Sequence, residues 1–199
     1  MTKRLFDIVV SIIALLILSP VFLFVAYQVS RKLGNPVLFK QRRPGLNGAL
    51  FDIVKFRTMT NDKDSDGNLL GNKERTPSFG LFLRNSSLDE LPELWNVLRG
   101  SMSLVGPRPL KIEYLESYSE RQRKRHNVSP GITGWAQING RNAISWEERF
   151  ELDVWYVENK TVWLDVKILF LTVIKVIKKE DIDHPEDEVK GRFKGTNND

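Results

Sequence analysis

From Ile8 to Ser30 the chain reads IVVSIIALLILSPVFLFVAYQVS, with no charged residue. About 20 helical residues at 1.5 Å each cross a hydrocarbon layer, so the run is long enough to span one. It is longer than the core of a signal peptide, and no small-residue cleavage pattern follows it. Lys3 and Arg4 precede the run while Arg31 and Lys32 follow it. Positive charge favours the cytoplasmic side, so both ends ask for the same side. Ser19-Pro20 stands at the middle, where proline removes a backbone bond and disfavours helical geometry in the residue before it. A re-entrant helix-break-helix satisfies both observations, with the Ser19 hydroxyl or a packed helix serving the broken backbone. A kinked crossing helix and a buried soluble helix are the alternatives. The first two attach the chain to a membrane.

Beyond this run, residues 35–59 pattern as a hairpin. Val37–Gln41 and Leu50–Arg57 are strand-like, and RPGLNG supplies the turn. Residues 60–74 are polar and form a loop; DKDSDG there lacks the acid at position 12 of a calcium loop, where Lys73 stands. Leu88, Leu91, Leu94 or Trp95, and Leu98 recur at helical spacing, so a helix is expected to begin near Ser87. Ser87 and Glu90 fit a capping box; Asp89 as cap would instead keep Pro92 in the first turn. Either start puts Asp89 and Glu90 in the first turn, where free N–H groups favour carboxylate and create a locus for anions. An acidic helix start with no further role has the same appearance.

EYLESYSERQRKRH is a helical pattern ending in Arg121, Arg123, Lys124, Arg125 and His126, suited to phosphates or acidic headgroups. Residues 129–142 carry Gly131, Gly134 and Gly140 and read as a shaped loop able to hold Trp135, Asn139, Arg141 and Asn142 in a site. Residues 161–179 are apolar with spaced lysines, fitting an interfacial helix or an amphipathic core helix.

Composition narrows the chemistry. Cysteine is absent, which excludes disulfides and thiolate sites, and His126 and His184 are the only histidines. The net charge of +5 hides an acidic tail: after Lys179 stand seven acids and three bases, leaving +9 on residues 1–179. A body so basic expects an anionic partner, whether nucleic acid, phosphorylated metabolite or acidic lipid. Residues 180–199 have few apolar positions and are expected to be disordered.

KFRTM (55–59), RNSSLDELPELWNVLRGSMSLVGPRP (84–109) and PGITGWAQINGRN (130–142) resemble the bacterial sugar transferase family, the small monotopic polyprenyl-phosphate phosphoglycosyl transferases. The resemblance runs from the apolar segment to about Lys179. Residues 144–157 further resemble the diacetamido-bacillosamine phosphate transferase branch. The family implies an α/β, mostly helical, monotopic membrane protein: a re-entrant helix over 1–32 broken at Ser19-Pro20, and a cytoplasmic catalytic domain over 33–179 with a small β-hairpin and interfacial helices. It implies transfer of a sugar 1-phosphate from a UDP-sugar to polyprenyl phosphate, releasing UMP, at the cytoplasmic face of the bacterial inner membrane. Inner-membrane phospholipids and downstream glycosyltransferases would be its partners.

The same resemblance makes Asp89 the nucleophile and Glu90 its catalytic partner, the pair holding Mg²⁺. Arg84 and Arg108 become phosphate ligands, joined by Lys55 and Arg141. Two positions depart from the family pattern: Ser101 replaces a common aspartate, and Asn85 a common basic residue. They bear on metal shell and sugar choice more than on reaction class. A basic nucleic-acid binder and a phosphohydrolase using Asp89 are the competing readings; no recognition-helix or finger pattern supports the first.

Overall fold

A computed structural model of the protein describes residues 2–140, 144–178, 193 and 195. The fold is mostly helical and monotopic, with one long apolar N-terminal helix and a small hairpin. The helix, α1 (Thr2–Leu33), includes Pro20. Proline lacks the N–H that would reach the carbonyl of Leu16, four residues back. The Ser19 hydroxyl donates to that carbonyl at 2.9 Å. The expected break is therefore a proline accommodated within a helix whose ladder continues on both sides.

Both halves of α1 pack on the same body. Phe6, Val10, Ala14 and Leu15 lie against one apolar cluster, and Val25, Val29 and Leu33 belong to another. Between these contacts Ile12, Ile13, Leu16, Ile17, Leu23 and Phe24 are exposed. Only 11% of the most apolar window is buried, which rules out a soluble core helix. Exposed apolar surface on this scale fits membrane association.

Polar bonds fix the start of α1. The Arg4 guanidinium donates to the carbonyls of Val97 and Leu98. Asp7 accepts from the Ser103 hydroxyl at 2.8 Å and the Leu104 N–H at 3.2 Å. Lys3 pairs with Asp165 at 2.5 Å.

The hairpin forms as the turn residues predict. β1 (Leu38–Pro44) and β2 (Leu50–Phe56) are antiparallel, with Leu38 opposite Phe56 and Pro44 opposite Leu50. The expected helix start is different. α2 (Ser78–Asn85) ends first, Ser87 takes a left-handed φ of 55°, and Leu88–Glu90 forms a 3₁₀ turn. α3 (Glu93–Arg99) then begins after Pro92. Ser87 makes no capping bond, because its conformation turns the chain there instead of launching a helix. Capping boxes do occur at Ser119 with Gln122 and at Ser145 with Glu148.

β3 (Ser103–Val105) pairs in parallel with β4 (Gly131–Thr133). Their approach depends on glycine: a Cβ on Gly131 would sit 2.1 Å from the Gly106 nitrogen. Residues 129–140 form this strand and α5 (Trp135–Ile138), as a shaped loop should. α4 (Glu120–Arg123) lies between 3₁₀ turns, so the expected continuous basic helix is broken.

α6 (Trp146–Asn159) and α7 (Val162–Lys178) close the body. α7 buries Asp165 and Ile168 while exposing Trp163, Phe170 and Val173, so one face enters the core and another presents apolar side chains outward. From the tail, Phe193 is buried among Tyr114, Tyr118, Trp146 and Phe150. The rest of 179–199 apart from Gly195 lies outside the described residues, as does the expectation of disorder there.

Candidate active site

The end of β2, the close of α2, the 3₁₀ turn and the GPRP segment converge on one buried group of charges. Gly80 allows the first approach: a Cβ there would sit 1.9 Å from the Thr58 carbonyl oxygen. One helical turn later Arg84 Nε donates to Thr58 Oγ1 at 3.0 Å, which stations the guanidinium beside the turn. Asn96 fastens α3 to the hairpin, accepting from Val54 N–H at 2.9 Å and donating to the Asp52 carbonyl at 2.8 Å.

Arg108 is held from behind. Gly106 N–H donates to the Thr133 carbonyl at 2.9 Å, and Gly131 N–H to the Pro107 carbonyl at 3.1 Å. Arg125 Nη2 donates to the Arg108 carbonyl at 2.8 Å and to Asp153 at 2.7 Å. Arg125 is 2% exposed, its guanidinium lying over the rings of Tyr118 and Phe150.

This corrects the expectation for Arg125, which is a buried structural charge; Arg121, Arg123 and Lys124 stay at the surface. Arg121 pairs with Glu151 at 2.6 Å, Lys124 with Glu158 at 3.3 Å, and Arg123 donates to the Tyr118 carbonyl. His126 Nδ1 lies 3.1 Å from the Gly45 carbonyl oxygen. Burial and the Arg125 charge push the imidazole down to about 4, so it is neutral at pH 7.

At the centre, Glu90 Oε1 takes Lys55 Nζ at 2.6 Å and Arg108 Nη2 at 2.7 Å. Burial alone would raise the acid, but Arg108 and Lys55 prevail and hold it far below the usual carboxylate range. Asp89, 9% exposed, has no hydrogen bond or ion pair among the described residues. Burial and then the charge of Glu90 push it up to about 6, against the pull of Lys55, Arg108 and Arg84.

A third acid escaped the sequence reading. Glu93 is 1% exposed and lies 3.0 Å from Lys55 Nζ. Burial and the Glu90 charge push it up to about 8. Its signal was spacing: three and four residues beyond the pair place it on the same side of a helical turn.

Of the expected site residues, Lys55, Asp89, Glu90 and Arg108 meet and Arg84 stands close enough to act on Asp89 through its charge. Arg141 and Asn142 lie outside the described residues. Ser101 exchanges hydrogen bonds with Asn96 at 3.2 Å, so this departure falls on the support of the hairpin. Asn85 is exposed at the end of α2.

Residues 1–179 match the model of the family described as bacterial sugar transferase. The chain belongs to the bacterial sugar transferase family. Within it, the chain is 55% identical over 194 residues to an uncharacterized sugar transferase, EpsL, of Bacillus subtilis, covering 98% of this chain and 96% of that protein. It is 43% identical to the UDP-glucose:undecaprenyl-phosphate glucose-1-phosphate transferase of Klebsiella pneumoniae over 87% of this chain and 39% of that one. It is 40% identical to the undecaprenyl-phosphate galactose phosphotransferase of Salmonella typhimurium, over 89% of this chain and 41% of that one. The chain thus spans about two fifths of these two larger sugar transferases. Their names specify glucose and galactose; the diacetamido-bacillosamine likeness of residues 144–157 has no counterpart in them.

Proposed function

We propose that the protein transfers a sugar 1-phosphate from a UDP-sugar to polyprenyl phosphate, releasing UMP, through a covalent intermediate on Asp89. The observation that carries this reading is the asymmetry of the pair. Glu90 is clamped by two cations, whereas the Asp89 carboxylate is buried beside them without a hydrogen bond. An anion stripped of donors is a better nucleophile than a clamped one.

Asp89 attacks the phosphorus that bears the sugar. The bond from that phosphorus to the bridging oxygen breaks, and UMP leaves with the electron pair. An oxygen of polyprenyl phosphate then attacks the same phosphorus, and its bond to Asp89 breaks, restoring the carboxylate. The sugar keeps its anomeric oxygen throughout. Arg84, Arg108 and Lys55 meet the phosphate oxygens, the arginines with a planar fork that lysine lacks.

The donor set fits Mg²⁺, which is commonly held by one or two carboxylates together with substrate phosphates. Asp89 and Glu90 would hold it. Bound there, the ion would neutralise diphosphate charge.

The relatives' names favour UDP-glucose and UDP-galactose as donors, and the likeness of residues 144–157 favours UDP-diacetamido-bacillosamine. A nucleic-acid partner loses part of its support, since Arg125 is buried against Asp153 and Arg121 and Lys124 pair with Glu151 and Glu158 on the surface. A soluble UDP-sugar donor and a lipid acceptor favour the cytoplasmic face of the inner membrane as the site of reaction, where phospholipids would surround the anchor and downstream glycosyltransferases would take the product.

The test is UMP release and lipid product formation with Mg²⁺, undecaprenyl phosphate and a panel of UDP-sugars. Mass spectrometry of enzyme quenched without lipid should find a phosphosugar on Asp89, lost in Asp89→Asn. Free sugar phosphate without a lipid product would indicate a hydrolase. Lipid product from Asp89→Asn at the normal rate would overturn the assignment.

A further inference from the structure

The transfer reaction leaves one buried acid without a task. Glu93 opens α3 and is almost fully enclosed. Its Oε1 lies 3.0 Å from Lys55 Nζ. The approach is off the hydrogen-bonding direction, and that oxygen has no hydrogen-bond partner. Lys55 gives its close bond to Glu90 instead, at 2.6 Å. A buried polar atom left in this state requires an explanation.

Lys55 supplies one. Burial acts to discharge its ammonium, and Glu90 and Glu93 outweigh that effect and raise its affinity for the proton. An arriving diphosphate competes with Glu90 for both Lys55 and Arg108. Once the hold of Glu90 loosens, the buried ammonium needs another oxygen within a short rotation, and Glu93 Oε1, already 3.0 Å away, is in reach.

We propose that Glu93 is the second seat of the Lys55 ammonium, a positioning residue that keeps Lys55 in the site while Glu90 changes partners. The inference rests on the transfer reading given above. Burial and the Glu90 charge push Glu93 up to about 8, so near neutrality it offers mainly the acceptor oxygen of a carboxylic acid. Glutamine reproduces that oxygen; leucine has none.

Full-length wild type, Glu93→Leu, Glu93→Gln and Asp89→Asn are compared in one detergent for UMP release and thermal unfolding. In Glu93→Leu kcat should fall by about tenfold or more, with KM for the UDP-sugar within about threefold, because Lys55 and Glu90 still pair at rest. Its Tm should hold or rise, since an apolar side chain of similar volume replaces a buried polar one. Glu93→Gln should recover most of kcat. Normal kcat in Glu93→Leu, equal losses in both variants, or a loss that follows a lowered Tm would each overturn the proposal. A folded wild type that releases no UMP with any donor fails the transfer reading instead, and this inference falls with it.

Discussion

Asp89 and Glu90 are neighbours in the chain with opposite surroundings: Glu90 holds Lys55 at 2.6 Å and Arg108 at 2.7 Å, while Asp89 has neither. Removing the Glu90 charge leaves two cations facing each other without their shared anion. Glu90→Gln should therefore lower kcat/KM for UMP release by about 10²–10³. Arg108→Lys keeps the charge but loses the fork, and should cost about tenfold. Steady-state UMP assays across donor concentration check both.

Asp89 must be ionised to attack phosphorus, and its environment pushes it up to about 6. Mg²⁺ held by Asp89 would pull that value down, so the kcat/KM profile, which reports the free enzyme, should rise with pH at or below about 6 and level off above it. Glu90→Gln removes a neighbouring negative charge and leaves the pull of Lys55 and Arg108 on Asp89 less opposed, so the rising limb should move to lower pH. A limb that stays in place would show that another group sets it.

Glu93 also links pH to stability. Its folded value, about 8, lies above its ordinary 4.5, so the native state binds the extra proton. The stabilisation is complete below 4.5 and is lost as pH rises through about 8. Wild type should lose Tm between pH 6 and pH 9 more steeply than Glu93→Gln, which has no proton there to release. Parallel melting curves in detergent over this range would show the difference.

The chain has no cysteine, so single cysteines can report topology without background. Both ends of α1 pack on one body, and the basic residues flanking its apolar run favour one side. Cysteines at Thr2 and Gly34 should be labelled by an impermeant maleimide in inside-out vesicles and protected in right-side-out cells. Opposite accessibility of the two would establish a crossing helix. Pro20→Ala restores a backbone bond and should shift molecules toward that crossing form.

Phe193 fills a cage of four aromatic residues, two of which lie under the Arg125 guanidinium. Phe193→Ala should destabilise the protein by about 3–5 kcal/mol, an amount typical of a buried ring. A Tm within about 1 °C of wild type would show that the ring is dispensable.

The hairpin was readable because Pro-Gly and Asn-Gly turns act locally, and α7 because its period is local too. The 3₁₀ turn at Leu88–Glu90 was not, since Ser87 adopts a left-handed conformation that propensity disfavours and tertiary packing imposes. Arg125 looked like a surface charge because its counter-ion, Asp153, is 28 residues away and pairing at that range leaves no periodic trace. The capping boxes at Ser119 and Ser145 did carry their signature, a serine followed three residues later by Gln or Glu. Lys55, Arg84, Asp89, Glu90 and Arg108 entered through family resemblance, while the bonding that separates Asp89 from Glu90 required coordinates.

Arg4 closes the last turn of α3, the helix that starts just after the reactive pair. The membrane segment is consequently no detachable tether. Trimming it to obtain a soluble enzyme would uncap two carbonyls and strip Leu83 and Phe56 of their cover. A shortened protein should come out of the cell misfolded, however complete its catalytic residues look on paper.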